Sequence, residues 1–167
     1  VSPNLESAYL PAILKETLEF LRPETDDRNV LVEVEEKGDS PKVRVDSGQI
    51  KQVFFNLIRN AVEAMEGGGV LKITFSGDDL FATVSFQDTG PGITSENIGS
   101  IFEPYSTTKK HGSGLGLMIV HRIIRDHGGE IEIDTAPGRG TSISLYIPRE
   151  ERRMRLLKSG SVESDES

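Results

Sequence analysis

The sequence predicts an α/β fold, a two-layer sandwich in which a mixed, largely antiparallel sheet of about five strands packs against three helices. Three observations lead there. Short segments of alternating apolar and polar residues recur along the chain, as half-buried strands require. Three longer segments place apolar residues at helical spacing, and glycines close two of them. Consecutive strands late in the chain are joined by turns too short for a crossover, which makes those pairs antiparallel.

Taken in order, Leu10, Ile13, Leu14, Leu18 and Leu21 predict a first amphipathic helix over Leu5 to Leu21. Val30, Val32 and Val34 alternate with polar residues and predict a strand from Asn29 to Glu35. A short extended piece, Lys42 to Val45, follows the turn residues Gly38-Asp39-Ser40-Pro41. Asp46 then stands where an N-cap belongs, ahead of a helix running to Met65 and stopped by Gly67, Gly68 and Gly69. Two strands follow, Val70 to Phe75 and Leu80 to Gln87, joined at Gly77-Asp78-Asp79. The stretch from Asp88 to Ser113 is irregular apart from a weak helix at Glu96 to Ile101, and its length and its Gly, Ser, Thr and Lys content suit a lid. A third helix spans Leu115 to His127 and ends at Gly128-Gly129. Strands at Glu130 to Thr135 and Thr141 to Ile147 flank the turn Pro137-Gly138-Arg139-Gly140. One domain is expected over residues 1–148, with a charged tail over 149–167 that frays.

The 167 residues suffice for one domain that buries about 70% of its unfolded surface. The absence of cysteine rules out disulfides, thiolate zinc sites and a cysteine nucleophile. No apolar run approaches a membrane span and the start lacks a signal-peptide pattern, so the chain reads as cytoplasmic, or as the cytoplasmic part of something longer. A net charge of −8 argues against nucleic acid as a partner. A phosphorylated small molecule stays open, given local backbone dipoles and a divalent cation.

Three patterns carry chemistry. On the helix after Asp46 a wide apolar arc leaves a narrow stripe of Gln49, Gln52, Asn56, Arg59, Asn60 and Glu63. Asn56 and Asn60 stand one turn apart, so their carboxamides project together. They read either as a solvated face or loop cap, or as a hard-cation site that leaves room for water and phosphate ligands. Asp88-Thr89-Gly90-Pro91-Gly92 reads either as an Asx-type turn or as a place where an acceptor-only carboxylate meets the exocyclic amine of adenine. Gly112-Ser113-Gly114-Leu115-Gly116 opens the third helix and offers backbone N–H groups to phosphate, with Lys109 and Lys110 upstream as solvated loop lysines or as phosphate contacts. It is neither a Walker loop nor a dinucleotide fingerprint. None of His111, His121 and His127 has the surroundings of a phosphoacceptor, and His127 reads as a helix-end residue favoured by the macrodipole. Hydrolase elbows and zinc-protease motifs are absent from the sequence.

The order and spacing of these patterns are specific. Asn56-Leu57-Ile58-Arg59-Asn60-Ala61, Asp88-Thr89-Gly90-Pro91-Gly92-Ile93, Ile101-Phe102-Glu103-Pro104-Tyr105 through Lys109, Gly112-Ser113-Gly114-Leu115-Gly116-Leu117 and Gly140-Thr141 through Pro148 resemble the N, G1, F, G2 and G3 boxes of sensor histidine kinases. The resemblance covers about Leu10 to Pro148. It implies the ATP-binding catalytic domain of such a kinase, with the Bergerat fold of the GHKL superfamily. The ending Asn60-Ala61-Val62-Glu63-Ala64-Met65 is most similar to the nitrogen-regulation type.

By that resemblance ATP and Mg²⁺ are the cofactors. Asp88 receives the adenine amine, Gly92 shapes the pocket, and Thr141 completes it through water. Asn60 holds Mg²⁺ and Asn56 assists at metal and phosphates. Gly114, Leu115 and Gly116 present amides to the phosphates, and Lys109 reaches them from the lid. Gly90, Ile93 and Gly112 complete the cofactor-binding set, and Phe102 and Tyr105 anchor the lid. Glu63 stands where many relatives carry a phosphate-contacting base, and has no cofactor role. The implied reaction is transfer of the γ-phosphate to a histidine on an upstream dimerisation domain not contained in this chain, then to a response-regulator aspartate. The fragment would be a monomer and its parent a homodimer. The alternatives are a GHKL ATPase, a standalone anti-sigma-type serine kinase and a nucleotide-sensing interaction module. Gyrase-like relatives place a water-activating Glu where this chain has Asn56, which favours transfer.

Overall fold

The computed structural model describes residues 2–90 and 114–150. Its elements are β1 (Glu6–Ala8), α1 (Leu10–Asp27), β2 (Val30–Glu36), β3 (Val43–Val45), α2 (Ser47–Ala64), β4 (Gly69–Gly77), β5 (Phe81–Gln87), α3 (Gly114–Asp126), β6 (Glu130–Thr135) and β7 (Thr141–Pro148). Five strands form one sheet in the order β2-β4-β5-β7-β6, while β1 and β3 pair as a separate two-stranded ribbon. Only β2 and β4 run parallel within the large sheet; its other neighbours are antiparallel. The three helices pack on one another and on this sheet, so the two-layer α/β sandwich expected from the sequence is the architecture found.

Alternation along the strands builds the layer between sheet and helices. Ile73 pairs with Phe86, Phe75 with Val84, and Val84 and Phe86 with Leu145 and Ile143. All of these side chains are buried on one face, beneath Ile50, Phe54, Leu57 and Ile58 of α2. The strand β2 lies at the sheet edge, so of its three valines only Val30 is fully buried, and Leu31 is exposed.

The first helix differs from its expected span. Residues 6–8 are extended and pair with β3, and the helix begins at Leu10 with Pro11 in its first turn. Proline suits a helix start, where its missing N–H would have no partner. At the other end the helix runs through Pro23 to Asp27, and Thr25, buried, donates to the Arg22 carbonyl. The weak helix at Glu96 to Ile101 falls outside the described residues. At the far end, Arg149 and Glu150 are still tied to the fold, through Arg149 N–H to the Leu80 carbonyl and Glu150 N–H to the Lys42 carbonyl.

Capping follows local sequence rules. The Asp46 side chain accepts from Gln49 N–H at 3.1 Å, and α2 ends before Gly67 and Gly68, whose φ values of 83° and 107° disfavour other residues. Gly128, at φ 74°, closes α3 with Gly129 N–H bonded to the Ile124 carbonyl at 2.9 Å.

His127 sits at that end of α3, but its ring points inward. It is wholly buried, with Nδ1 2.7 Å from the Ile123 carbonyl and Nε2 accepting from Asp46 N–H at 3.1 Å. An imidazole that accepts at Nε2 and meets a carbonyl at Nδ1 carries its proton on Nδ1 and is neutral. The macrodipole reading of His127 gives way to a hydrogen-bonded bridge from the end of α3 to the start of α2.

Replacing His127 by alanine is expected to lower stability by about 1–3 kcal/mol through the orphaned Asp46 N–H. An unchanged urea midpoint would exclude the bridge. The Asp46 carboxylate is held below its ordinary value by N–H groups, chiefly of Asn4 (3.0 Å) and of Gln49. A lowered folded-state pKa contributes stability above the ordinary carboxylate value, lost as pH falls below it. The stability gap between the native chain and Asp46→Asn, measured by urea unfolding, should therefore be wider at pH 6 than at pH 3.

Candidate functional site

The site is built around the last turns of α2. Asn56 and Asn60 are half-buried rather than solvated, and they face α3. A Cβ placed on Gly116 would stand 3.8 Å from Asn60 Nδ2 and 3.9 Å from Asn56 Cγ. The first turn of α3 therefore lies directly against the asparagine pair. Arg59 takes the opposite course, pairing with Glu24 at 3.3 Å and lying over the Phe55 ring. The polar stripe read as one face is thus split between two neighbouring helices.

A second cluster forms where β5 ends and β7 begins. Asp88 is buried, its N–H donates to the Thr141 carbonyl at 2.9 Å, and its Oδ1 accepts from Gly90 N–H (2.9 Å) and Thr141 N–H (3.2 Å). A carboxylate offers about four acceptor positions, and these two amides fix its orientation. Thr141 is buried as well, with its hydroxyl 3.0 Å from that of Thr135.

The two clusters meet at α2. A Cβ on Gly90 would come within 3.0 Å of the Ala64 carbonyl, and Ala64 is one helical turn beyond Asn60. The structure thus brings Asn56, Asn60, Gly90 and Gly116 around one helix end, with Asp88 and Thr141 next to Gly90. Gly114 and Leu115 start α3. Gly92, Ile93, Lys109 and Gly112 lie outside the described residues, as do Phe102 and Tyr105.

Three residues that shape this region were named from the sequence only as members of turns and motifs, with no role in the site. Gly140 has φ 79°, and a Cβ there would collide with the Asp88 carbonyl oxygen, so only glycine lets β7 start this close. Its position in a Gly-Arg-Gly turn was the available signal. Thr89 accepts from Val70 N–H at 3.2 Å and donates to Met65 Sδ at 3.4 Å, pinning the turn to β4 and to the end of α2. Gly69 leaves room for that contact, since a Cβ on it would lie 2.6 Å from both Thr89 Oγ1 and Met65 Sδ.

Among the described residues there is no cluster of three or more His, Asp or Glu side chains able to hold a metal. A cation at this site would depend on carboxamide oxygens and on its ligand's own oxygens. Among the same residues no helix is long and apolar enough to cross a membrane.

Residues 45–151 match the family described as histidine kinase-, DNA gyrase B-, and HSP90-like ATPase. Sporulation kinase E of Bacillus subtilis (strain 168) is 34% identical over 153 residues, 89% of this chain and 21% of that kinase. Across the similar curated kinases, the chain spans from about a fifth to about a third of their length. Among solved structures, the nucleotide-free catalytic domain of histidine kinase ThkA is 32% identical with a TM-score of 0.79, covering 87% of this chain and 96% of that one. A structure of ThkA in complex with response regulator protein TrrA matches at 29% identity and a TM-score of 0.76, over 88% of this chain and 42% of that one. The chain belongs to the histidine kinase-, DNA gyrase B- and HSP90-like ATPase family, as a histidine kinase catalytic domain, and ATP binding comes with that membership.

Proposed function

We propose that this domain binds ATP with Mg²⁺ and donates the γ-phosphate to a histidine on a separate dimerisation domain of the parent protein, for passage to a response-regulator aspartate. The observation that carries the reading is the seating of the α3 N-terminus on the Asn56–Asn60 pair. Hard amide oxygens and helix-end amides then converge on one place, which suits a phosphate chain with its cation.

The residues divide the work. Asp88, oriented by Gly90 and Thr141, accepts the adenine amine, and guanine would oppose a carbonyl oxygen to it. The amides of Gly114, Leu115 and Gly116 receive phosphate oxygens, aided by the positive end of α3. Asn60, with Asn56, holds the cation by carboxamide oxygen. Bound there, Mg²⁺ neutralises charge on the terminal phosphates. In this reading Gly92, Ile93 and Gly112 line the same pocket, and Lys109 contacts the phosphates from the segment between Gly90 and Gly114. The catalytic domain is assigned to residues 1–148, and 149–167 to a segment outside its chemistry.

Hydrolysis is the competing reaction, and Asn56 speaks against it. A carboxamide has no basic site with which to activate water. Phosphoryl transfer needs no such base here if the acceptor histidine brings its own nucleophilic nitrogen. A response-regulator partner is supported by the structure of histidine kinase ThkA in complex with response regulator protein TrrA, to which this chain is similar.

Asp88→Asn is expected to weaken binding of a nonhydrolysable ATP analogue by about 10- to 100-fold, read by calorimetry; native affinity in the variant would remove Asp88 from the adenine contact. Asn60→Ala should erase the Mg²⁺ dependence of nucleotide affinity and of transfer to a histidine domain supplied in trans, while Mg²⁺-free ADP still binds. A variant whose affinity still rises with Mg²⁺ would place the cation elsewhere.

A further inference from the structure

Where β5 ends, the main chain leaves the sheet but one side chain stays in it. The pairing of β4 with β5 stops at Lys72 opposite Gln87. Two residues further on, the same register would set Val70 against Thr89. The Asp88 N–H faces β7, so by strand alternation the Thr89 backbone would face β4 and continue the ladder there. The chain turns toward Gly90 instead, and Val70 N–H meets the Thr89 hydroxyl at 3.2 Å. A side-chain oxygen thus takes the place of a ladder carbonyl.

The same hydroxyl donates to Met65 Sδ at 3.4 Å. Met65 is buried and forms the C-cap of α2, next to Ala64. Two glycines admit this contact. A Cβ on Gly69 would lie 2.6 Å from both Thr89 Oγ1 and Met65 Sδ, and one on Gly90 would lie 3.0 Å from the Ala64 carbonyl oxygen and 3.1 Å from Asp88 Oδ1. A side chain at either position would force the turn away from α2.

We propose that Thr89 is a positioning residue for the base, acting through Gly90 on Asp88 to set the direction in which the carboxylate meets the exocyclic amine. This role rests on the reading of Asp88 as the adenine contact. Asp88 Oδ1 is held from two sides, by Thr141 N–H at 3.2 Å and by Gly90 N–H at 2.9 Å. Thr141 belongs to β7 and is fixed by the sheet. Gly90 belongs to the turn, and Thr89 ties that turn to β4 and to α2. Hydrogen bonds weaken steeply as they bend, so a turn that drifts loosens Gly90 N–H and lets the carboxylate rotate.

Substitution at position 89 separates the hydroxyl from the shape. Serine keeps the oxygen. Valine keeps the branching, but a methyl neither accepts from Val70 N–H nor donates to sulfur. Its contact distance of about 3.5–4.0 Å also exceeds the 3.2 Å available. Thr89 is exposed and Val70 half-buried, so water can take the freed N–H and the fold itself loses little.

The test compares Mg²⁺-free ADP with purine riboside diphosphate, the same molecule without the exocyclic amine, by calorimetry on the full chain. The native chain is expected to prefer ADP, and Asp88→Asn to lose most of that preference. Thr89→Val should narrow it by about 2- to 10-fold, through weaker ADP binding alone, and Thr89→Ser should keep it. A native preference in Thr89→Val, an equal loss for both ligands, or a serine variant that behaves like the valine one would each overturn the role of Thr89 while leaving Asp88 in place. Equal binding of the two ligands by the native chain would instead sink the adenine reading, and this role with it.

Discussion

The packing of α3 against α2 is the constraint on which the rest depends. The two helices are held together at both ends, in opposite directions. At one end His127 bridges to the amide that opens α2; at the other, Gly116 rests on Asn56 and Asn60. Leu117, Val120 and Ile124 are buried along the length between. A helix of 13 residues is about 20 Å long, so a tilt at the His127 end displaces the amides at the far end. Phosphate recognition by backbone groups tolerates little displacement, because N–H groups weaken steeply off-axis. The neutral buried imidazole is a device for aim as much as for stability.

The proposed adenine side of the site is set by the sheet instead. The register of β5 and β7 pairs Gln87 with Ser142, which leaves Asp88 and Thr141 opposite one another just past the ladder's end. There the backbone of each serves the other: Asp88 N–H to the Thr141 carbonyl, and Thr141 N–H to the Asp88 carboxylate. Gly140 makes the approach possible by having no side chain where the Asp88 carbonyl lies. Two main-chain N–H groups, of Gly90 and Thr141, thus help to orient the carboxylate.

Much of this was legible in the sequence because the deciding forces are local. Asp46 as a cap, the glycine stops at Gly67 and Gly128, and the strand alternation each act within a few residues, and each was read correctly. Asn56 and Asn60 were paired from helix geometry alone. What escaped depends on contacts far apart in sequence. Residues 6–8 look like helix until β3 offers them a partner, and the bond from His127 to Asp46 spans 81 positions. The apolar spacing ends at Leu21, yet the packing of Leu21 and Thr25 carries α1 on through Pro23 to Asp27. The division of the polar stripe between α1 and α3 follows from which helix lies on each side, which periodicity does not encode.

A catalytic domain of this kind has to hold a reactive phosphate without spending it on water. The proposed site does so by omission. Its asparagines supply oxygens that ligate but have no proton affinity near neutral pH, whereas a carboxylate at position 56 would serve as a base. In the proposed reading the nucleophile is a histidine on a separate domain of the parent protein. On that proposal, specificity for histidine over water would reside in docking between domains rather than in the nucleotide pocket.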